Sequence, residues 1–154
     1  MLDIDGVLAD VRHRLRHIAR RPKDWDAFFA GAKDDPVLEI GAEFARTAAT
    51  THDVLYLTGR PERVRLDTED WLLRNEFPCG KLLMRADGDH RPAAVVKLQH
   101  LRELRRELPI DLLVDDDPAV LKAARGAGFT VKLADWMPRD TPALLDAQEG
   151  DGLT

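Results

Sequence analysis

Five short apolar runs recur along this chain, each four or five residues long and each bounded by polar or turn-forming residues. The stretches that separate them are long enough to hold a helix. Alternation of this kind is typical of a parallel sheet with helices packed on both faces. We therefore predict an α/β fold, a three-layer sandwich around a five-stranded parallel sheet. The predicted strands cover residues 1–5, 53–57, 81–84, 110–114 and 130–133.

The extent of the domain follows from the segments between these strands. Residues 61–75 and 92–108 have apolar positions at helical spacing, and residues 6–52 hold two weaker helical patterns. Residues 6–52 are too few for a large domain above the sheet, so we expect a minimal cap. We predict one domain over residues 1–138 and a flexible tail over residues 139–154, where Pro, Gly, Asp and Thr are mixed.

The net charge of −5 does not favour a broad surface that neutralises many nucleic-acid phosphates. Several arginines nevertheless lie near the motifs described below. The single cysteine, Cys79, cannot form an intrachain disulfide. No apolar run approaches the length of a membrane span, and the first residues do not resemble a signal peptide. We expect a cytoplasmic protein without a membrane partner.

Two aspartates, Asp3 and Asp5, stand at the end of the first predicted strand, directly before Gly6. In a regular strand both side chains would point to one face of the sheet. Open α/β sheets bind ligands at the carboxyl ends of their strands, and two carboxylates placed there repel each other unless a cation neutralises them. The spacing therefore predicts a divalent metal, and all-oxygen ligands favour Mg²⁺.

Three later elements place further reactive groups at strand ends or on a helix that faces the sheet. Thr58, Gly59 and Arg60 follow the second predicted strand and would supply a hydroxyl and backbone N–H groups at a helix N-terminus, which suits a phosphate. Lys97 lies early in the predicted helix over residues 92–108, where its ammonium would neutralise a phosphoryl group. The fourth predicted strand ends in three consecutive carboxylates, those of Asp115, Asp116 and Asp117.

These elements, in this order, resemble the motifs of haloacid dehalogenase-type phosphatases. The first motif of that superfamily, Asp-x-Asp-Gly-Val/Thr-Leu, matches residues 3–8. The resemblance implies a haloacid dehalogenase-like (Rossmann-like) fold and hydrolysis of a phosphate monoester through an aspartyl phosphate. It implies that Asp3 is the nucleophile, and that Asp5 protonates the leaving oxygen and then activates water.

The same resemblance assigns the remaining residues of the site. Thr58 matches the hydroxyl residue of the second motif, and Lys97 matches the lysine of the third, so both are expected to be catalytic. The metal ligands that it implies are Asp3, Asp5 and Asp116, with Asp115 in the layer behind them. Asp117 is expected to cap the helix that Pro118 opens.

A narrower likeness covers nearly the whole chain. The chain resembles the 3′-phosphatase domain of phage-type polynucleotide kinase-phosphatases in Thr58-Gly59-Arg60-Pro61, Leu83-Met84-Arg85 and Val95-Val96-Lys97, segments that include the second and third motifs. In that family, arginines near the site engage phosphates or the nucleic-acid backbone. The residues thereby implied to bind substrate are Arg14, Gly59, Arg60, Arg85 and Arg91. The family pattern has an aspartate four residues before the third-motif lysine, where this chain has Ala93.

Expectations about substrate and partners follow from this likeness. An open site with a minimal cap would admit a polynucleotide end that carries a 3′-phosphate. It would also admit a mononucleotide, so a 5′- or 3′-nucleotide phosphatase is the nearest alternative. A receiver domain of two-component signalling is another, although its phosphorylated aspartate lacks the second carboxylate that Asp5 provides. The sequence contains no Gly-x-x-x-x-Gly-Lys-Ser/Thr loop, so a separate kinase or ligase chain is a candidate partner.

Overall fold

The structure, a computed structural model, describes residues 1–137, so the predicted tail over residues 139–154 and the last residue of the predicted domain lie outside it. Its strands are β1 Tyr56–Pro61, β2 Leu82–Arg85, β3 Leu113–Asp115 and β4 Val131–Leu133. Its α-helices are α1 Trp25–Ala30, α2 Glu39–Ala48, α3 Arg65–Arg74, α4 Ala93–Leu104 and α5 Pro118–Gly126. Short 3₁₀ segments cover Arg12–His17, Gly31–Asp34 and Glu62–Val64. Over these residues no helix combines the length and the apolar character needed to cross a bilayer.

The strands form two parallel pairs, β1 with β2 and β3 with β4. Leu2 lies between the pairs, because it forms single parallel bridges to Tyr56 and to Val114. Its N–H donates to the Leu55 carbonyl at 2.8 Å, and the Val114 N–H donates to the Met1 carbonyl at 3.0 Å. Parallel pairing agrees with the predicted fold class. The continuous five-stranded sheet stays a prediction, since within residues 1–137 the two pairs are joined through the bridges of a single residue.

Helices cover both sides of these strands. Tyr56 and Val114 belong to a core cluster that includes residues of α1, α2 and α3. The neighbouring residues Leu57 and Leu113 belong to a second cluster with residues of α4 and α5. Because successive side chains of a strand point to opposite faces, the two clusters lie on the two faces of the strand layer. This arrangement agrees with the predicted three layers.

The second strand and the helix after it differ from the prediction. β1 extends to Pro61, four residues beyond the predicted end, and all six of its residues are buried. The backbone at Pro61 is extended, with φ −74° and ψ 154°, and α3 begins only at Arg65, after a 3₁₀ turn. The prediction that Thr58 and Gly59 lie directly at a helix N-terminus is therefore wrong. Thr58, Gly59 and Arg60 are buried and continue β1 beside β2, where the local pattern predicted a helix N-terminus.

Candidate active site

The candidate site lies where the N-terminal segment and β3 end side by side. The Asp3 N–H donates to the Val114 carbonyl at 2.9 Å, which aligns Asp3 with the end of β3. The chain then turns, and Gly6 adopts a left-handed conformation with φ 77°. A Cβ at this position would collide with the Asp116 carboxylate, so a glycine is required for the turn to pack over that side chain. The carboxyl ends of neighbouring strands thus bring the two acidic motifs together.

Three buried carboxylates form the acidic cluster, which we define as Asp3, Asp115 and Asp116. Each offers an oxygen that lies within 4.8 Å of the oxygens of the other two. The Lys97 ammonium lies 2.8 Å from one oxygen of Asp3 and 2.8 Å from one oxygen of Asp115. With Asp3 3% exposed and Lys97 1% exposed, these charges interact out of bulk water. Three carboxylates and one ammonium leave an excess of negative charge.

Burial raises the pKa of Asp3 well above its usual value; Lys97 opposes the shift, and Asp115 and Asp116 add to it. Burial also acts to lower the pKa of Lys97, but the carboxylates of Asp115 and Asp3 outweigh it and raise that pKa. Lys97 is therefore protonated, whereas the three carboxylates repel one another. A further positive charge in the cluster would reduce this repulsion.

A divalent cation fits the acidic cluster. The second oxygen of Asp3, Oδ1, is buried and has no hydrogen-bond partner among residues 1–137. A buried, unsatisfied carboxylate oxygen is costly unless a cation or a donor approaches it. All candidate ligands in the cluster are carboxylate oxygens, the type that Mg²⁺ prefers.

Asp5 belongs to a second group, largely buried, which we call the tetrad: Asp5, Arg14, Asp35 and Arg60. Asp5 Oδ1 lies 2.6 Å from Arg60 Nη2 and 2.8 Å from Arg14 Nη2. Arg14 also donates to both oxygens of Asp35, each at 2.8 Å. Arg60 Nη2 lies 2.7 Å from Asp35 Oδ2. Two guanidinium groups thus bridge two carboxylates, and their formal charges cancel.

The tetrad keeps Asp5 ionised. Burial by itself would raise the pKa of Asp5, but the guanidinium groups of Arg14 and Arg60 outweigh it and lower that pKa to about 2. Hydrogen bonds from charged donors are stronger than neutral ones, and the planar guanidinium fixes their direction. Asp5 is therefore held as an ionised carboxylate whose direction is fixed by the two guanidinium groups.

The roles expected of these residues stay predictions, and the structure gives the positions of their side chains. Asp115, expected behind the metal ligands, lies within the acidic cluster, whereas the Asp5 side chain turns to the arginines. The reason is local: the chain bends at Ile4, so the same-face rule for alternate strand residues does not apply to Asp3 and Asp5. Arg14 and Arg60, expected to face substrate, are both buried and ion-paired.

The remaining predicted residues lie along β1, at the end of β2 and in the loop that follows β2. Thr58 is buried, and its hydroxyl accepts the Arg60 N–H at 3.2 Å. The Gly59 carbonyl accepts a hydrogen bond from Arg85 at 3.2 Å. Arg85 is buried and also donates to the backbone carbonyls of Asp89 and Arg91, so it holds this loop against β1.

Arg91 takes a different position from Arg85. Its side chain is exposed, lies 2.6 Å from the Asp89 carboxylate and donates to Gln99. Farther along, Asp117 accepts the Ala119 N–H at 2.7 Å, and Pro118 occupies the first turn of α5. The predicted cap of this helix is confirmed.

Asp35 is the residue of the site that sequence reasoning missed. Its side chain is fully buried between Arg14 and Arg60, and His13 Nε2 lies 2.8 Å from the same carboxylate. Its backbone carbonyl accepts the Trp71 indole N–H at 2.8 Å. In the sequence it follows another aspartate and precedes a proline, a pattern typical of a solvated loop. No local signal marked Asp35 as the partner of two buried arginines.

Similarity to known proteins is found in solved structures and in a protein-family model. Among curated proteins no match is found. Two solved structures, titled "Structure of Pnkp1/Rnl/Hen1 complex" and "Structure of the Pnkp1/Rnl/Hen1 RNA repair complex", are 24% identical to this chain with TM-scores of 0.73 and 0.72. Each match covers 86% of this chain, and this chain spans 43% and 40% of the respective chains.

The likeness to these structures confirms the expected α/β fold, and the family model that matches this chain is of the haloacid dehalogenase type. The family model described as the polynucleotide kinase PNKP phosphatase domain matches residues 1–135, which includes every residue of the acidic cluster and the tetrad. This chain is therefore a phosphatase that belongs to the family of polynucleotide kinase PNKP phosphatase domains.

Proposed function

We propose that this protein removes 3′-phosphates from polynucleotide ends in a Mg²⁺-dependent reaction that passes through an aspartyl phosphate on Asp3. The observation that carries the proposal is the buried acidic cluster, in which Asp3 keeps one oxygen without a hydrogen-bond partner among residues 1–137. Lys97 orients the other oxygen of Asp3 at 2.8 Å. A carboxylate held in this way is suited to attack phosphorus.

In the first step, a carboxylate oxygen of Asp3 bonds to phosphorus while the bond to the sugar oxygen breaks. That oxygen takes a proton from Asp5, which is ionised in the free protein and would have to gain this proton when the negatively charged phosphate binds beside it. In the second step, Asp5 accepts a proton from the water that attacks phosphorus, and phosphate leaves Asp3. The ion pairs of Asp5 with Arg14 and Arg60 fix its direction for both transfers.

Other residues bind the phosphoryl group. Asp3, Asp115 and Asp116 would hold Mg²⁺. When bound, Mg²⁺ supplies positive charge that offsets the negative charge of the phosphoryl oxygens and of the three carboxylates. Lys97 adds a second positive charge from the side of α4. The Thr58 hydroxyl and the backbone of Gly59 would donate hydrogen bonds to the phosphoryl oxygens.

Removal of divalent metal should abolish phosphate release, and added Mg²⁺ should restore it. Asp116→Asn should weaken Mg²⁺ binding at least about tenfold, since it removes a ligand and a charge. Calorimetric titration of Mg²⁺ into metal-free protein measures this binding without relying on activity. Asp67→Asn, on the exposed side of α3, is the matched control. Full activity in excess chelator would contradict the metal requirement.

The position of α1 and α2, which precede β1, indicates how large a substrate the site can admit. α1 and α2 contribute Phe28, Phe29, Ala42 and Ala45 to the same core cluster as the strands. These helices are therefore part of the layered domain and do not form a separate cap. A site without a large cap is open to the end of a polymer. The two similar structures are titled as complexes of Pnkp1, Rnl and Hen1, one of them as an RNA repair complex, which also supports a polynucleotide substrate.

The substrate proposal is tested by comparing kcat/KM on a 3′-phosphorylated oligonucleotide with that on 3′- and 5′-mononucleotides. We expect the oligonucleotide to be preferred by about tenfold or more, equivalent to about 1.4 kcal/mol of transition-state binding. Preference for a mononucleotide would indicate a nucleotide phosphatase. A long-lived aspartyl phosphate without steady release of inorganic phosphate would instead indicate a receiver-like domain.

A partner chain is part of the proposal. The similar chains are more than twice as long as the matched portion, since this chain spans 43% and 40% of them. We propose that a separate kinase or ligase chain acts on the same nucleic-acid ends, and that both work in the cytoplasm. Copurification of tagged protein from its own cells, followed by assays for 5′-kinase and end-joining activity, tests this pairing.

A further inference from the structure

We propose that residues 12–23, which we call the basic segment, bind the sugar-phosphate backbone of the substrate strand upstream of its 3′-phosphate. The inference rests on the proposed function, since it requires a polynucleotide substrate. It adds a surface beyond the acidic cluster and the tetrad, with which the segment shares only Arg14. The ligand that this surface would take is a single strand of nucleic acid, recognised through its phosphates without regard to sequence.

The basic segment is a local exception to the charge of the whole protein. Its basic residues are Arg12, His13, Arg14, Arg16, His17, Arg20, Arg21 and Lys23, and it contains no Asp or Glu. The rest of the chain carries 17 of the 23 Lys and Arg residues and all 28 acidic residues. A net charge of −5 therefore conceals one segment of strongly positive charge. A positive segment in an acidic protein attracts polyanions locally while the remaining surface repels them.

The fold places the basic segment at the edge of the site. Arg14, in the 3₁₀ segment Arg12–His17, points inward and contacts Asp5 at 2.8 Å. Arg16 follows two residues later and is exposed, so its Cα lies within about 7 Å of the Arg14 Cα. A strand whose terminal phosphate lies over Asp3 would therefore have its next phosphates near this segment.

Two apolar side chains anchor the basic segment in the core, while three of its arginine side chains are exposed on the surface, where a ligand can reach them. Leu15 and Ile18 are 4% and 2% exposed and belong to the core cluster of α1, α2 and α3. Arg16, Arg20 and Arg21 are exposed, and among residues 1–137 none of the three has a carboxylate partner. By contrast, exposed Arg91 near the site is already paired with Asp89. Phosphates bound by these three guanidinium groups would not have to displace a carboxylate.

Simultaneous replacement of Arg16, Arg20 and Arg21 by alanine tests the proposal. We expect KM for a 3′-phosphorylated 12-nucleotide strand to rise about tenfold, with little change for a 3′-mononucleotide, because the mononucleotide does not reach the segment. Each lost phosphate contact should lower the slope of log affinity against log salt by about 0.7, so three contacts lower it by about 2. Oligonucleotide binding to the Asp3→Asn protein, followed by fluorescence anisotropy, gives the same slope without turnover.

The chain offers a matched control. Arg102, Arg106 and Arg125 are exposed, have no carboxylate partner among residues 1–137, and lie on or just after α4 and α5, on the other side of the strand layer. Replacing these three by alanine makes the same change in net charge, and we expect at most a small effect on KM for the 12-nucleotide strand.

The outcomes separate the two proposals. If the unmodified protein prefers the long strand and the Arg16, Arg20 and Arg21 variant loses this preference, the inference is supported. If that variant keeps the preference, or the control variant loses it equally, the inference is overturned and the proposed function stands. If the unmodified protein shows no preference for length, the polynucleotide substrate is wrong and the inference fails with it.

Discussion

Asp3→Asn is expected to abolish phosphate release, by at least about 10⁴-fold in kcat/KM. An amide nitrogen or oxygen is a poor nucleophile for phosphorus, and the substitution also removes one negative charge from the proposed metal site. The fold should survive. Asp3 lies in a cluster with excess negative charge, so a neutral side chain of the same shape relieves repulsion. Thermal unfolding should occur at the same temperature or slightly higher.

The measurement is release of inorganic phosphate from a 3′-phosphorylated oligonucleotide, with circular dichroism to follow unfolding. Asp70→Asn is the matched control and should leave turnover unchanged, because within residues 1–137 Asp70 makes only an exposed pair with Arg74. Acid quenching of the unmodified protein during turnover should trap phosphate on Asp3. Substantial turnover by Asp3→Asn would refute its role as nucleophile.

Asp35→Ala is expected to lower the free energy of unfolding by about 3–5 kcal/mol, the range seen when one partner of a buried ion pair is removed. The side chains of Arg14 and Arg60 are 1% and 0% exposed, and without Asp35 they share the single carboxylate of Asp5. One buried positive charge is then uncompensated. For a domain of this length the melting temperature should fall by about 10 °C or more.

Urea unfolding of Asp35→Ala and Asp35→Asn, compared with Asp26→Ala, measures this effect. Asp35→Asn should cost less than alanine, since an amide oxygen still accepts hydrogen bonds from the guanidinium groups. Asp26 also pairs with an arginine, Arg63, but its side chain is 89% exposed, and such surface pairs contribute less than about 1 kcal/mol. A loss in Asp35→Ala no larger than that in Asp26→Ala would show that the tetrad does not stabilise the fold.

Much of the fold could be predicted from local patterns. The predicted helix over residues 92–108 contains α4, and four of the predicted strands overlap β1 to β4. Such patterns record which side chains must be buried along one element, and burial dominates the choice of structure. Element ends were less predictable. Thr58, Gly59 and Arg60 continue β1 because they are buried by the surrounding structure, and a local pattern contains no information about neighbours far away in sequence.

Local sequence patterns are sufficient to place the reactive groups at the ends of the strands, because Asp3, Thr58, Lys97 and the carboxylates after Val114 follow apolar runs or lie on an amphipathic helix. The membership of the acidic cluster and of the tetrad depends instead on the packing of distant segments. Arg60 reaches Asp5 across 55 residues of sequence and Asp35 across 25. Such contacts depend on how the layers pack and on where the chain bends after Leu2, and neither is encoded in a short-range period of the sequence.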